Sequence, residues 1–291
     1  MIIKNVYFSR RISVRRLARS FFEPVSTIGR WVGPEKEKVA KQRHCPVSGD
    51  PSVRVMVRSL CDQARNRTFG YRRIWALLRR NGLLINKKTV WKIMHEMGFA
   101  RPKIWHKPTR PRRVEKMKPA GPNRGWQIDM TSFVLSDFTP LYLMMVTDCY
   151  TRKIVGWTLD RRCRTGEWVG ALRMGLESEG LTTKETCSKL TLRSDNGSQP
   201  CSKKFVEYLG KTGVKGQYTG YNAPDDNAYI ERVFRTVKEE EIWANVYDTI
   251  CEARAAIEAY VNYYNNERIH SALGYRTPNE VAAAYNTLAA A

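Results

Sequence analysis

The spacing of apolar positions changes part-way along the chain. Across residues 53–97 they recur three and four apart, the repeat of helices that bury one face. Val53, Met56, Val57 and Leu60 open this stretch. Ile74, Leu77 and Leu78 form a second buried stripe, which leaves Arg72, Arg73, Arg79 and Arg80 in solvent. Asn81-Gly82 supplies the left-handed stop that ends this helix. A third helix over residues 86–98 turns Val90, Ile93, Met94 and Met97 inward. From residue 124 the pattern alternates instead. GWQIDMTSFVL, TPLYLMMVTDCY and TRKIVGWTL are runs of β-formers separated by turn residues, predicting three consecutive antiparallel strands. A helix over 165–176 follows, with Trp168, Leu172 and Leu176 on one face. Then come a strand at 190–194, a helix at 202–211, a short strand at 213–218 and a helix from 227 carrying Ile230, Val233, Phe234 and Val237. Pro224, Asp225, Asp226 and Asn227 offer helix-start residues for the latter. Three strands in meander followed by alternating helix and strand predict an α/β domain with a mixed sheet. A further helix over 250–264 aligns Ile257, Tyr260, Val261 and Tyr264.

Composition divides the chain along the same line. Residues 1–120 hold 30 Lys+Arg against 7 Asp+Glu, a net charge of +23, whereas residues 121–291 sum to −1. The first part is the footprint of a polyanionic partner, and the second is balanced like an ordinary enzyme domain. Four segments are expected: an N-terminal basic helical segment and linker (1–50), a helix-turn-helix DNA-binding domain (51–100), a basic Pro-rich linker (101–122), and a catalytic core (123–285). Residues 12–32 also fit a helix, a break at Pro24 and a second helix. The helix over 86–98 opens with lysines after a Gly-containing turn, as a major-groove reader does. Lys87, Lys88 and Lys92 would neutralise phosphates, joined by Arg72 and Arg73, and Asn86 would reach a base edge.

No apolar run approaches the ~18 residues of a membrane span, and no secretory leader is evident, so a cytoplasmic, nucleoid-associated protein with no membrane contact is expected. The seven cysteines are scattered without a CxxC pair, and His44, His95 and His106 are isolated. Buried or inert thiols and no zinc are expected.

Three acids stand within a strand, just past one, and at the start of a helix. Asp129 lies in the first alternating run, Asp195 follows the strand at 190–194 in a Ser-Asp-Asn-Gly turn, and Glu231 falls in the first turn of the helix from 227. Asp195 and Glu231 are separated by 35 residues, and Lys238 follows Glu231 by seven. Downstream stands Tyr264-Asn265-x-x-Arg268-x-His270-x-x-Leu273-Gly274-Tyr275-x-Thr277-Pro278. In these features the chain resembles the DDE transposases and retroviral-type integrases, and within them the catalytic, second-frame proteins of bacterial insertion sequences. One departure is Pro200, where the family often has an aromatic residue.

The resemblance implies a ribonuclease-H-like mixed-sheet core preceded by an α-helical helix-turn-helix region. It implies metal-dependent DNA cleavage and strand transfer, with Asp129, Asp195 and Glu231 as catalytic residues and ligands of two Mg²⁺ ions, Mn²⁺ being an alternative. Arg232, Arg235 and Lys238 would contact phosphate. The implied partners are duplex DNA of element ends and target, further copies of the chain on DNA, and a shorter DNA-binding protein from an upstream reading frame. Two other readings share these features: a DNA-binding protein whose core has lost catalysis, and a plain ribonuclease-H-type nuclease. The intact triad disfavours the first, and the basic N-terminal half is left unexplained by the second.

Overall fold

The computed structural model describes residues 51–100, 117–219 and 227–290. The helical pair expected over 12–32, most of the basic linker and the acids at 225–226 lie outside the described residues.

Three helices come first: α1 (Pro51–Asp62), α2 (Tyr71–Arg80) and α3 (Lys87–Glu96). Val53 and Val57 of α1, Ile74 and Leu78 of α2, and Val90, Ile93 and Met94 of α3 close into one apolar cluster. Asn86 caps α3, its side-chain oxygen accepting the Lys88 N–H at 2.8 Å. That use of the oxygen differs from the base-edge role expected for Asn86, because the first N–H groups of a helix need acceptors.

Then follow β1 (Gly125–Val134), β2 (Pro140–Asp148), β3 (Ile154–Asp160), α4 (Thr165–Ser178), the single turn α5 (Lys184–Cys187), β4 (Thr191–Ser194), α6 (Lys203–Thr212), β5 (Lys215–Tyr218), α7 (Ala228–Glu240), α8 (Ile250–Asn266) and α9 (Pro278–Ala290). The strands form one sheet in the order β3-β2-β1-β4-β5. β1 pairs antiparallel with β2 and parallel with β4, so the sheet is mixed, as the α/β reading requires.

Alternation sorts the two faces. Trp126 and Ile128 of β1 face α4 and α6 with Leu172, Leu192 and Phe205. Leu141, Leu143 and Met145 of β2 face α7 and α8 with Ile230, Val233 and Ile257. Gly156 lets β3 and α4 touch backbone to backbone, since a Cβ there would lie 2.2 Å from the Ala171 carbonyl oxygen.

The signature after α8 is a set of struts. Asn265 grips both backbone groups of Ile154, donating to its carbonyl at 2.9 Å and accepting its N–H at 3.0 Å. Arg268 forks onto Glu240 with two bonds of 2.7 Å. Both side chains are almost fully buried, at 3% and 5% exposure. Burial alone would raise the Glu240 carboxyl, but the Arg268 guanidinium outweighs it and holds the group below its ordinary value. Thr68 and Arg73 of the helical region reach the same carboxylate, at 2.9 and 3.6 Å. Arg65 adds an ion pair to Glu267 at 3.2 Å, Arg80 pairs with Glu280, and Ile269 joins the helical cluster. Arg73 therefore departs from the solvated position expected of it, whereas Arg80 stays exposed while pairing with Glu280. Their helix packs on the core, and core carboxylates meet that face.

His270 packs edge-on against Tyr264, with centroids 4.8 Å apart. Burial, and then the nearby positive charges of Arg268, Arg73 and Arg152, push its imidazole down to about 3, so it is neutral at physiological pH. Of the cysteines, Cys61, Cys149 and Cys187 are buried, whereas Cys201 and Cys251 are exposed.

Candidate active site

The three acids arrive from three elements. Asp129 sits on the odd-numbered face of β1, towards α7, since its neighbours Ile128 and Met130 pack on the opposite side. β4 runs parallel to β1 with Gln127 opposite Arg193, so Asp195, two residues on, comes level with Asp129 just past the strand end. Its carboxylate accepts the Gly197 N–H at 3.1 Å, folding the Ser-Asp-Asn-Gly turn back on itself. Pro200 is buried in the next turn, and its carbonyl accepts from the Tyr218 hydroxyl at 3.2 Å. Glu231 lies in the first turn of α7, whose inward stripe of Ile230, Val233, Phe234 and Val237 lays the helix across this face.

The charges of the three meet. Burial, opposed by the Met130 N–H and then reinforced by the negative charges of Asp195 and Glu231, pushes the Asp129 carboxyl up to about 6. The Met130 N–H donates to Asp129 at 2.7 Å, fixing one of its oxygens. The group stays open: among the described residues, no cluster of three or more His, Cys, Asp or Glu side chains is closed enough to hold a metal ion. Asp195 and Glu231 are exposed to water, whereas Asp129 is partly buried. The donor chemistry nevertheless suits a hard divalent cation, being carboxylate oxygen throughout.

Asp148, another buried acid nearby in sequence, has a different character. It accepts from the Asn123, Tyr150 and Thr151 N–H groups and the Trp126 indole, so it staples the β2–β3 turn.

Two models described as "Integrase core domain" match residues 119–223 and 212–278, and one described as "HTH-like domain" matches residues 53–107. The transposase for insertion sequence element IS904 of Lactococcus lactis is 31% identical over 224 residues, spanning 73% of this chain and 86% of that protein. This chain belongs to the insertion-sequence transposase family. A putative transposase for IS986/IS6110 of Mycobacterium tuberculosis is 27% identical over 238 residues, spanning 75% of this chain and 82% of that protein. Among solved structures, the magnesium complex of the HTLV-2 integrase catalytic core has 15% identity and a TM-score of 0.43, covering 57% of this chain and 99% of that one. The ribonuclease-H-like α/β core, the helix-turn-helix-like region before it and the family are thus as the sequence led one to expect.

In this transposase-family chain the expected phosphate contacts fall into two groups. Along α7, Arg232, Arg235 and Lys238 follow Glu231, and an open groove of about 460 Å³ is lined by Glu231, Phe234, Arg235, Lys238, Glu239 and Trp243. Arg235 is tied to Glu239 at 2.8 Å, whereas Lys238 makes no ion pair among the described residues. On the helical region, Arg72, Lys87 and Lys88 line a broad cleft with Trp75 and Trp91, the Lys87 ammonium lying 4.2 Å from the centre of the Trp75 ring. Lys92 is exposed one turn further along, 3.9 Å from Glu96. Arg73 is the one of this second group that faces the core. Among the described residues, no helix is long and apolar enough to cross a membrane.

Two residues that support the site escaped sequence reasoning. Gln127 reads as a generic strand position, and Arg193 as the polar half of an alternating pair, yet both are buried. A polar residue two positions before each acid on the same strand face is the signal that could have found them.

Proposed function

We propose that this chain is a transposase that cuts DNA at element ends and joins the freed 3′ ends to target DNA, at a centre formed by Asp129, Asp195 and Glu231. The observation that carries the reading is the placement of three carboxylates, Asp129 on β1, Asp195 level with it past the end of β4 and Glu231 in the first turn of α7. There burial and then the charges of its two neighbours push the Asp129 carboxyl up and set a charge conflict. A divalent cation would relieve that conflict, and three carboxylates without sulfur or imidazole favour Mg²⁺ or Mn²⁺. Bound as a pair, such ions activate the attacking oxygen and stabilise the leaving oxygen of an in-line phosphodiester displacement.

The chain's own residues supply the rest. Asp129, held by the Met130 N–H, would hold such ions together with Asp195 and Glu231. Lys238 and Arg235 neutralise phosphate along α7, with Arg232 beside them, and Lys87, Lys88, Lys92 and Arg72 grip duplex DNA from the helical region. No serine or tyrosine nucleophile is required, since water and then a DNA 3′-hydroxyl attack in turn. Further copies of this chain on DNA, and a shorter DNA-binding protein from an overlapping upstream frame, complete the assembly.

Asp129→Asn, Asp195→Asn and Glu231→Gln should each abolish Mg²⁺-dependent cleavage and strand transfer of element-end DNA while retaining DNA binding in gel-shift assays. Strand transfer surviving in any of the three would exclude that residue from the centre. A wild-type protein that binds element ends but never cuts them would instead favour a DNA-binding protein with a silent core.

A further inference from the structure

Helix α7 carries Glu231, yet its start is not fixed by its own cap. The Asn227 side chain makes no capping bond, and its buried oxygen has no hydrogen-bond partner among the described residues. The acceptor comes from the sheet instead. Gln127, fully buried on β1, accepts the Ile230 N–H through its side-chain oxygen at 3.0 Å. Gln127 and Asp129 share a strand face, ~7 Å apart along the strand, and Ile230 and Glu231 are adjacent. One hydrogen bond therefore closes a short path from the first acid to the third.

Gln127 does not stand alone on that face. It is level with Arg193 on β4, which is level with Gln217 on β5. The Arg193 guanidinium donates twice to the Gln217 side-chain oxygen, at 3.3 and 3.2 Å. This polar row lies directly behind Asp129 and Asp195, where an apolar row would leave the first turn of α7 free to slide on a greasy surface. A directional bond to one particular N–H selects a single height for the helix.

We propose that Gln127 is a positioning residue of the centre, setting the height and direction of Glu231 against Asp129 so that the carboxylates converge on an arriving divalent cation. The proposal rests on the centre assigned above. Outer partners of this kind commonly change metal affinity by about 10–100-fold when removed.

The test uses the full-length chain and Mn²⁺ alone, with bound ion read by electron paramagnetic resonance and folding by thermal melting. Gln127→Leu keeps the side chain's bulk and removes the acceptor. Gln127→Glu keeps an oxygen for the Ile230 N–H and serves if the leucine variant fails to fold. Asn265→Leu is the control, since it deletes two buried bonds between α8 and β3 that do not involve the acids. The expected result is Mn²⁺ binding weakened about tenfold or more in Gln127→Leu, with no weakening in Gln127→Glu. Asn265→Leu should melt earlier and bind Mn²⁺ as wild type does. A folded Gln127→Leu protein with wild-type Mn²⁺ affinity would overturn the proposal, as would a glutamate variant that loses affinity. If Asp129→Asn leaves Mn²⁺ binding of the wild-type background untouched, the centre itself is wrong, and Gln127 falls with it.

Discussion

Asp129→Asn should stabilise the metal-free protein, and by an amount that depends on pH in a defined direction. The Asp129 carboxyl lies at about 6 against an ordinary value of 3.8. That difference corresponds to ~3 kcal/mol between its neutral and ionised forms, an upper figure because water reaches part of the group. The unfolded chain releases this proton near the ordinary value, and the folded chain only near 6. Between those limits the folded state binds more protons, so wild-type stability falls as pH rises through the window and is flat above it. Asparagine carries no charge at any pH, and its oxygen can still accept the Met130 N–H.

The two proteins should therefore be nearly equal at pH 4 and diverge up to pH 7. At pH 8 the variant should be ahead by up to ~3 kcal/mol, or ~6–12 °C in melting temperature for a unit of this size. The assay is urea and thermal denaturation of both proteins across pH 4–8 in chelator, repeated with Mg²⁺. Added Mg²⁺ should raise wild-type stability at pH 8 and leave the variant nearly unchanged, because only the former gains a ligand. A variant less stable than wild type at pH 8, or a gap independent of pH, would refute the charge conflict at Asp129.

Two further outcomes follow from the same geometry. Arg268→Ala strips the buried Glu240 carboxylate of its two 2.7 Å bonds and should cost ~3–5 kcal/mol in denaturant titration; a loss under 1 kcal/mol would mean that Thr68, Arg73 and the Tyr260 hydroxyl, which donates to Glu240 at 2.9 Å, suffice. Lys238→Ala should weaken binding of element-end DNA and reduce the salt dependence of that binding by about one counterion while leaving Mn²⁺ affinity unchanged, and fluorescence anisotropy over a salt series decides both.

Much of the protein was legible from periodicity because hydrophobic burial is repetitive. The Ile230, Val233, Phe234 and Val237 stripe defined α7, and strand alternation put Asp129 on the opposite face from Ile128. The spacing of the acids and the Tyr264–Pro278 signature indicated the family, and the charge imbalance indicated a polyanionic partner for the first half. The sequence could not say what the signature does. Asn265 gripping Ile154 and Arg268 forking onto Glu240 are contacts between segments 111 and 28 positions apart. Those pairings exist only once the chain has closed on itself.

The polar residues beneath the acids show the same division. Local sequence determines which residues share a face, because a strand repeats every two positions and a helix every 3.6. It does not determine what lies against that face. Gln127 became the cap of a helix 103 positions away, and Arg193 was buried beside Gln217, because parallel pairing of β1, β4 and β5 brought them into one row under α7. Arg73, which periodicity placed in solvent, became a partner of Glu240 for the same reason. Buried polar groups must find partners wherever the fold supplies them. Only the tertiary structure decided which groups those were.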